Sequence, residues 1–404
     1  MADNIYVYES DGKWHNRSGD VVDPGTVTPP GNDPLFAGHV PFQTLIGFNA
    51  PDEGAASKPD YAEALPAIGA TGGNAYYAGN VRRLFSSVPP TTTKLNSMLD
   101  VCDARNQLPV LSFKVNDRWD EVAQGLLNNY IDPIVTVAKA RRTANGGNGL
   151  PFLVGFHHEP NSNGPTADNL TNLTWWGKMQ LYCLNYVTGW KSRGATNVGG
   201  TYVAADDVRD IVSWAPIANG FFWGTKFSYP DRIAACYPPD LIDAFNDRGG
   251  PLGADMYDPT LDNITLSYDS NNYRIEASFV YPSNYDRCWR EIQTMVAWAR
   301  ANGVKSIGFG EMGNTNQANW QATIDQLMLN RDIISYALVF NNLQNSKWDW
   351  RLIPQDWGDT NGFNPTQTVG GVTVVDYGGD PLSSAYIVKY KNLVDRSITE
   401  TDPF

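Results

Sequence analysis

The sequence predicts an α/β chain of the (β/α)8 barrel class, and three observations carry that prediction. Eight short apolar runs alternate along the chain with longer amphipathic ones, the pattern that yields a parallel sheet wrapped in helices. The first run ends in Phe48-Asn49-Ala50-Pro51, which is not the Gly-rich phosphate loop that an open doubly wound sheet would need there. Two of the runs end in a glutamate, Glu159 and Glu311, and catalytic groups in parallel barrels sit at the C-terminal ends of strands.

Taken in order, Thr44–Ala50 is the first predicted strand and Tyr61–Ile68 a short helix. Val81–Phe85 is the second strand, Thr93–Asn106 the second helix and Leu108–Lys114 the third strand. Asp120–Arg142 reads as one long amphipathic helix, with Val122, Leu126, Leu127, Ile131, Ile134, Val135 and Val137 on its apolar side. Phe152–His158 is the fourth strand; the run from Leu150 to Phe156 is too short for a buried helix, and Pro160 stops it. The next helix spans Trp175–Arg193 and stops at Gly194. Ile211–Ala215 is the fifth strand, followed by a helix at Pro239–Asn246. Gly253–Tyr257 is the sixth strand, with Tyr285–Asn302 as its helix. Ser306–Gly310 is the seventh strand, leading into Glu311, with Trp320–Leu329 as its helix. Ile333–Phe340 is the eighth strand, and Ser384–Val394 closes as the last helix.

Residues 1–35 have a different character. Ile5–Tyr8 alternates like a short strand, Asp11-Gly12 is a turn signal, and Val21 to Pro34 is rich in Pro, Gly and Thr. The expected organisation is an N-terminal arm and linker over 1–35 and a catalytic barrel over 36–404. The N-terminal stretch has no apolar core of signal-peptide type and no run reaches membrane-span length, so neither secretion by such a peptide nor membrane insertion is expected.

Composition narrows the function. The chain has 404 residues, 42 % of them hydrophobic, and a net charge of −13. That balance argues against nucleic acid, which selects a basic face, and against anionic membrane surfaces. Thirteen Trp and twenty Tyr suit sugar rings as well as a core. Cys102, Cys183, Cys236 and Cys288 lie far apart with no CxxC; no metal site or disulfide framework is expected of them, and three fall in predicted helices. A catalytic zinc is also not expected, because HExxH is absent and the chain has only four His. No cofactor is expected.

The chemistry these residues suggest is glycoside hydrolysis by two carboxylates. A single glutamate at a strand end is ordinarily solvated or salt-bridged; two in matching contexts, both wrapped in glycine and aromatic residues, point to a paired site. Glu159 is the candidate acid/base and needs a raised pKa. Glu311 is the candidate nucleophile and needs hydrogen-bond donors, for which Tyr257 is the best placed; its ordinary alternative is a tyrosine packed at the barrel mouth. His158 is a candidate partner for a carboxylate or a sugar hydroxyl, whereas His157 falls on the opposite strand face and reads as structural. Trp176, Trp214 and Trp348 are candidate sugar platforms, with Trp350 as an alternative to Trp348, although core packing is the default for any one Trp. Asn219 and Asp255 are further polar candidates. Of Arg82 and Arg83 only one can face the interior, and alternation alone leaves the choice open.

These motifs resemble the family-26 glycoside hydrolases, a retaining (β/α)8 family with its acid/base on strand four and its nucleophile on strand seven. His158-Glu159, Asn161, Gly164 and Trp175-Trp176-Gly177 resemble that family's His-Glu–Asn-Gly–Trp-Trp-Gly signature with a loop insertion. Ser213-Trp214-Ala215-Pro216 resembles its strand-five segment, Gly253-Ala254-Asp255-Met256-Tyr257 its strand-six segment, and Gly310-Glu311-Met312-Gly313 its nucleophile strand. The resemblance spans roughly residues 40–350 and implies a β-mannanase-like retaining hydrolase. Gly155-Phe156 stands where the family has Arg-Pro, which puts β-mannan itself in question as the substrate. The arm resembles the leaders of tail proteins from phages of actinobacteria, which implies attachment to a virion tail and a bacterial envelope glycan as substrate. The competing expectation is a carbohydrate-binding or adhesin barrel without turnover.

Overall fold

A computed structural model describes residues 81–103, 108–144, 151–160, 170–191, 193–224, 229–257, 287–314 and 317–340, with short strand segments elsewhere. Its centre is a parallel barrel. The strands are β1 (Leu45–Asn49), β2 (Val81–Ser86), β3 (Leu108–Phe113), β4 (Phe152–Phe156), β5 (Val212–Trp214 and Ile217–Asn219), β6 (Leu252–Tyr257), β7 (Ile307–Gly313) and β8 (Ile334–Phe340). Each pairs in parallel with the next, and β8 pairs with β1. Closure occurs at β5. Its first half pairs with β4 and its second half with β6, with only Ala215-Pro216 between them. Proline cannot donate to a ladder, so the strand bends there and serves both neighbours. The observed β5 therefore continues to Asn219, four residues past its expected end.

Alternation sorts the strand side chains into two layers. Val81, Val110, Leu153, Ala215, Ile217, Tyr336 and Leu338 fill the barrel interior. Leu84, Leu111, Phe113, Phe152, Val154, Phe156, Trp214, Ala254, Ile307 and Phe309 face outward into the larger core under the helices. Burying each Leu, Ile, Val or Phe contributes about 1.5–3 kcal/mol. The helices are α1 (Thr92–Asp103), α2 (Asp132–Ala144), α3 (Leu170–Val187), α4 (Pro230–Cys236), α5 (Pro239–Arg248), α6 (Cys288–Ala301) and α7 (Gln317–Leu329). Both α4 and α5 begin on proline, whose missing N–H costs nothing in a first turn. All four cysteines are buried.

Two helix expectations need correction. Asp120–Arg142 is not one helix: Trp119–Ala123 and α2 are separate, because Gly125 between them takes φ +75° and a Cβ there would lie 2.7 Å from the Tyr182 hydroxyl. The helix expected over Trp175–Arg193 starts earlier, at Leu170, and ends at Val187. Thr188–Lys191 then pairs antiparallel with Thr201–Asp207, around Gly189 at φ +76°. A second hairpin, Asn263–Tyr268 with Arg274–Val280, follows β6. In the arm, Tyr6–Tyr8, Trp14–Asn16 and Val21–Val22 form a three-stranded antiparallel sheet. The helices expected at Tyr61–Ile68 and Ser384–Val394 lie outside the described residues. Among the described residues, no helix is long and apolar enough to cross a membrane.

Candidate active site

The C-terminal ends of β2 to β7 converge on one cluster. Arg83 on β2 points inward and is fully buried, which settles the choice between Arg82 and Arg83. Its Nη1 donates to Asp255 Oδ1 at 2.8 Å and lies 3.3 Å from Glu311 Oε1. Tyr257 donates its hydroxyl to Glu311 Oε2. Both oxygens of Glu311 therefore face donors, and its carboxylate is nearly buried. A ligating atom each of His158, Asp255 and Glu311 lies within 4.8 Å of the others.

A bulge aims Glu311. Phe309 pairs with Ala254 and Glu311 with Asp255, so Gly310 is one residue extra against β6. On the other side, Phe309 pairs with Ala337 and Met312 with Val339, so β7 again carries one more residue than its partner. A bulge re-aims the side chain that follows it. Gly310 and Glu311 consequently both face the interior. Only glycine fits at the first position, since a Cβ there would lie 2.5 Å from Arg83 Nη1 and 2.6 Å from Asp255 Oδ1.

The β4 end is built differently. Asn116, Asp117, His157 and Glu159 are the non-glycine residues with positive φ among those described, and all four lie in the loops after β3 and β4. His157 at φ 49° breaks the strand alternation. Its ring turns to the outer side, edge-on to Trp119 at 4.8 Å and with Nε2 3.6 Å from Asp117 Oδ1. His158 then turns inward, its Nδ1 sharing a 2.9 Å hydrogen bond with Ser112 Oγ and its ring 5.8 Å from Phe85. Glu159 at φ 51° is half-buried, its N–H donating to Ile217 O at 3.1 Å.

The electrostatics follow from one cation among several carboxylates. Burial works to lower the Arg83 pKa, but Asp255 and Glu311 outweigh it and the net shift is upward. Burial raises Asp255 well above the usual carboxylate range; Arg83 opposes this, and the charges of Glu311 and Glu159 reinforce it. Burial and then Glu311, Asp255 and Glu159 hold the Tyr257 hydroxyl protonated. Glu159 thus acts electrostatically on both Asp255 and Tyr257. Burial, with Arg83 next, keeps His158 neutral, its pKa well below the ordinary value. The His158, Asp255 and Glu311 donors suit a metal poorly, because the Arg83 guanidinium already sits against both carboxylates.

Two of the tryptophan expectations change. Trp176 and Trp214 have no exposed surface, so neither can stack on a sugar. They face the core between α3 and the outer side of the barrel, where the indole N–H groups find partners within the protein. Trp348 falls in a two-residue strand paired with Leu343–Gln344, and its side chain lies outside the described residues. Trp350, Asn161 and Gly164 also lie outside them. Gly177, next to Trp176, allows close helix packing: a Cβ there would lie 2.7 Å from Ala235 O. Asn219 is buried at the end of β5, paired in register with Asp255. Ser112 and Gln180 were not singled out from sequence. Gln180 left one local signal, a polar residue four positions after Trp176 on an apolar helix.

No protein-family model matches the sequence, and no curated protein matches it. Solved structures similar to the chain include the catalytic domain of the Bacillus sp. JAMB-750 GH26 endo-beta-1,4-mannanase, at 14 % identity and TM-score 0.47, covering 89 % of this chain and 87 % of that one. A GH5 xyloglucanase of Bacteroides ovatus in complex with a XXXG heptasaccharide is similar at 11 % identity and TM-score 0.44, covering 88 % and 75 %. A beta-glycosidase from Pyrococcus horikoshii is similar at 10 % identity and TM-score 0.43, covering 89 % and 96 %. The barrel assignment rests on the closing strand order itself.

Proposed function

We propose that this chain is a retaining glycoside hydrolase acting on a β-linked polysaccharide, mannan-like or from a bacterial envelope. The observation that carries the proposal is the clamped carboxylate of Glu311, with Tyr257 on one oxygen and Arg83 facing the other, at the barrel end that also holds Glu159. A nucleophilic carboxylate must be aimed at the anomeric carbon, and a donor at each of its two oxygens holds it in place.

In the first step, a Glu311 oxygen attacks the anomeric carbon while the Glu159 carboxylic acid gives its proton to the departing glycosidic oxygen. The C–O bond to the leaving sugar breaks and an ester to Glu311 forms. In the second step, Glu159, now a carboxylate, takes a proton from water. The water oxygen bonds to the anomeric carbon and Glu311 leaves as a carboxylate. Two inversions retain the configuration. Forming the ester removes the Glu311 charge, and Arg83 Nη1 stays anchored by its hydrogen bond to Asp255 Oδ1. Neutral His158 can donate to or accept from a sugar hydroxyl without changing the charge of the site.

The two-carboxylate geometry implies a Glu159–Glu311 separation of about 5–5.5 Å in a crystal structure. The functional test is chemical rescue. With an aryl glycoside carrying an acidic leaving group, Glu159→Ala should form the glycosyl ester and stall, and azide should release a glycosyl azide of the substrate's configuration. Glu311→Ala should be inactive on every substrate and give the inverted azide product. Swapped rescue patterns would exchange the two roles. A wild-type protein that binds glycans but releases no oligosaccharide would make the barrel an adhesin. The arm, residues 1–35, is proposed to tether the barrel to a larger assembly such as a virion tail. Removing it should leave hydrolysis intact and abolish incorporation.

A further inference from the structure

The two tryptophans that cannot touch a substrate lead to a second role. The β4–β5 ladder ends at the Val154–Trp214 pair, and the chain beyond it turns left-handed at His157 and again at Glu159. Left-handed geometry is unfavourable for residues with a Cβ and persists only where the surroundings impose it. The carbonyls of Phe156 and His157 extend past the β5 pairing and need other donors. Helix α3 supplies both. Trp176 Nε1 donates to His157 O at 2.7 Å, and Gln180 Nε2 donates to Phe156 O at 2.7 Å. The two residues are four apart, so they project from one face of the helix. Gln180 is held in turn, because its Oε1 accepts from Trp214 Nε1 at 2.8 Å. All three side chains are fully buried. On the other side, the His157 N–H donates to Phe113 O at 2.8 Å and the Glu159 N–H to Ile217 O at 3.1 Å.

Building on the hydrolase reading above, we infer that Trp176, Gln180 and Trp214 are positioning residues: their hydrogen bonds grip the last carbonyl of β4 and the one that follows it, and hold the turn that aims Glu159 at the leaving group. None of the three touches substrate. Each acts through the backbone that bears Glu159, so losing one should damage proton donation and leave Glu311 attack alone. Misplacing a catalytic group by about 1 Å can cost on the order of 100-fold in rate.

The test uses Trp176→Phe, which keeps most of the ring and deletes the donor, and Gln180→Glu, which keeps an acceptor for Trp214 but loses the donor to Phe156 O. Both are measured on a series of aryl glycosides of rising leaving-group pKa. The expected result is little change with the most acidic leaving group and a loss growing to about 10–100-fold with the least acidic. In a Glu159→Ala background, Trp176→Phe should add no further loss, because the residue it acts through is gone. Equal losses across the series, or additive losses in the double variant, would overturn the inference. A crystal structure of each variant gives a readout independent of turnover. His157 and Glu159 should relax from left-handed φ, and unchanged angles in both variants would also overturn it. If instead Glu159→Ala itself shows no leaving-group dependence while the angles do relax, the positioning role stands and the catalytic assignment of Glu159 is what fails.

Discussion

Replacing Arg83 with methionine tests the electrostatic centre of the site. The guanidinium is fully buried, bonded to Asp255 at 2.8 Å and 3.3 Å from Glu311. Removing one partner of a buried ion pair costs about 3–5 kcal/mol, because the other charge stays desolvated. Here the loss leaves two carboxylates side by side, and Asp255 can escape only by taking up a proton. Burial and the Glu311 charge already raise its pKa in the native protein, with Arg83 acting to lower it; without Arg83 the pKa must rise further. The sign follows. A carboxyl group with a raised folded-state pKa binds its proton more tightly folded than unfolded, so it stabilises the fold at low pH and loses that stabilisation as pH climbs to the raised value. The Arg83→Met protein should therefore lose more stability than the wild type as pH rises above the ordinary carboxylate range, by up to about 1.4 kcal/mol per unit. Urea unfolding followed by tryptophan fluorescence measures this directly. Adding Asp255→Asn should remove most of the pH slope. The reasoning fails if Arg83→Met unfolds at the wild-type urea concentration above that range, or if its loss does not depend on pH.

Three further outcomes follow from the same geometry. Tyr257→Phe deletes a hydrogen bond to the Glu311 carboxylate and should lower kcat/KM by about 10–100-fold, from the loss of roughly 1.5–3 kcal/mol of interaction with that carboxylate. Gly310→Ala sets a methyl group 2.5 Å from Arg83 Nη1 and should cost about 1–3 kcal/mol in the same urea assay. His158 is held neutral by burial first and by Arg83 next, so the native state resists its protonation and stability should fall as pH drops below about 6.5. His158→Asn should flatten that part of the pH–stability curve.

Much of the barrel was legible because its signals are local. An apolar run of five to seven residues bounded by turn residues reads as a strand wherever it sits, and the expected strands overlap all eight observed ones. Glu159, Tyr257 and Glu311 could be nominated for the same reason: a polar group closing such a run lies at a strand end. Local pattern could not say which of two adjacent arginines faces inward. That depends on the interior layer in which Val81 and Arg83 share a face. Nor could it find the bulge, because an extra residue exists only relative to the paired strand, and here both β6 and β8 define it. The breaks at Gly125 and Gly189 were hidden likewise; each glycine sits where a distant group, the Tyr182 hydroxyl or the Val203 carbonyl, leaves no room for a Cβ. The tryptophans make the division clearest. The sequence by itself determined that Trp176 and Trp214 stand beside the residues of the site. Only the tertiary structure decided that they are buried outside the barrel, away from the site, because an indole's neighbours are set by helix α3 packing on the outer side of the barrel, and there its N–H holds backbone and glutamine instead of sugar.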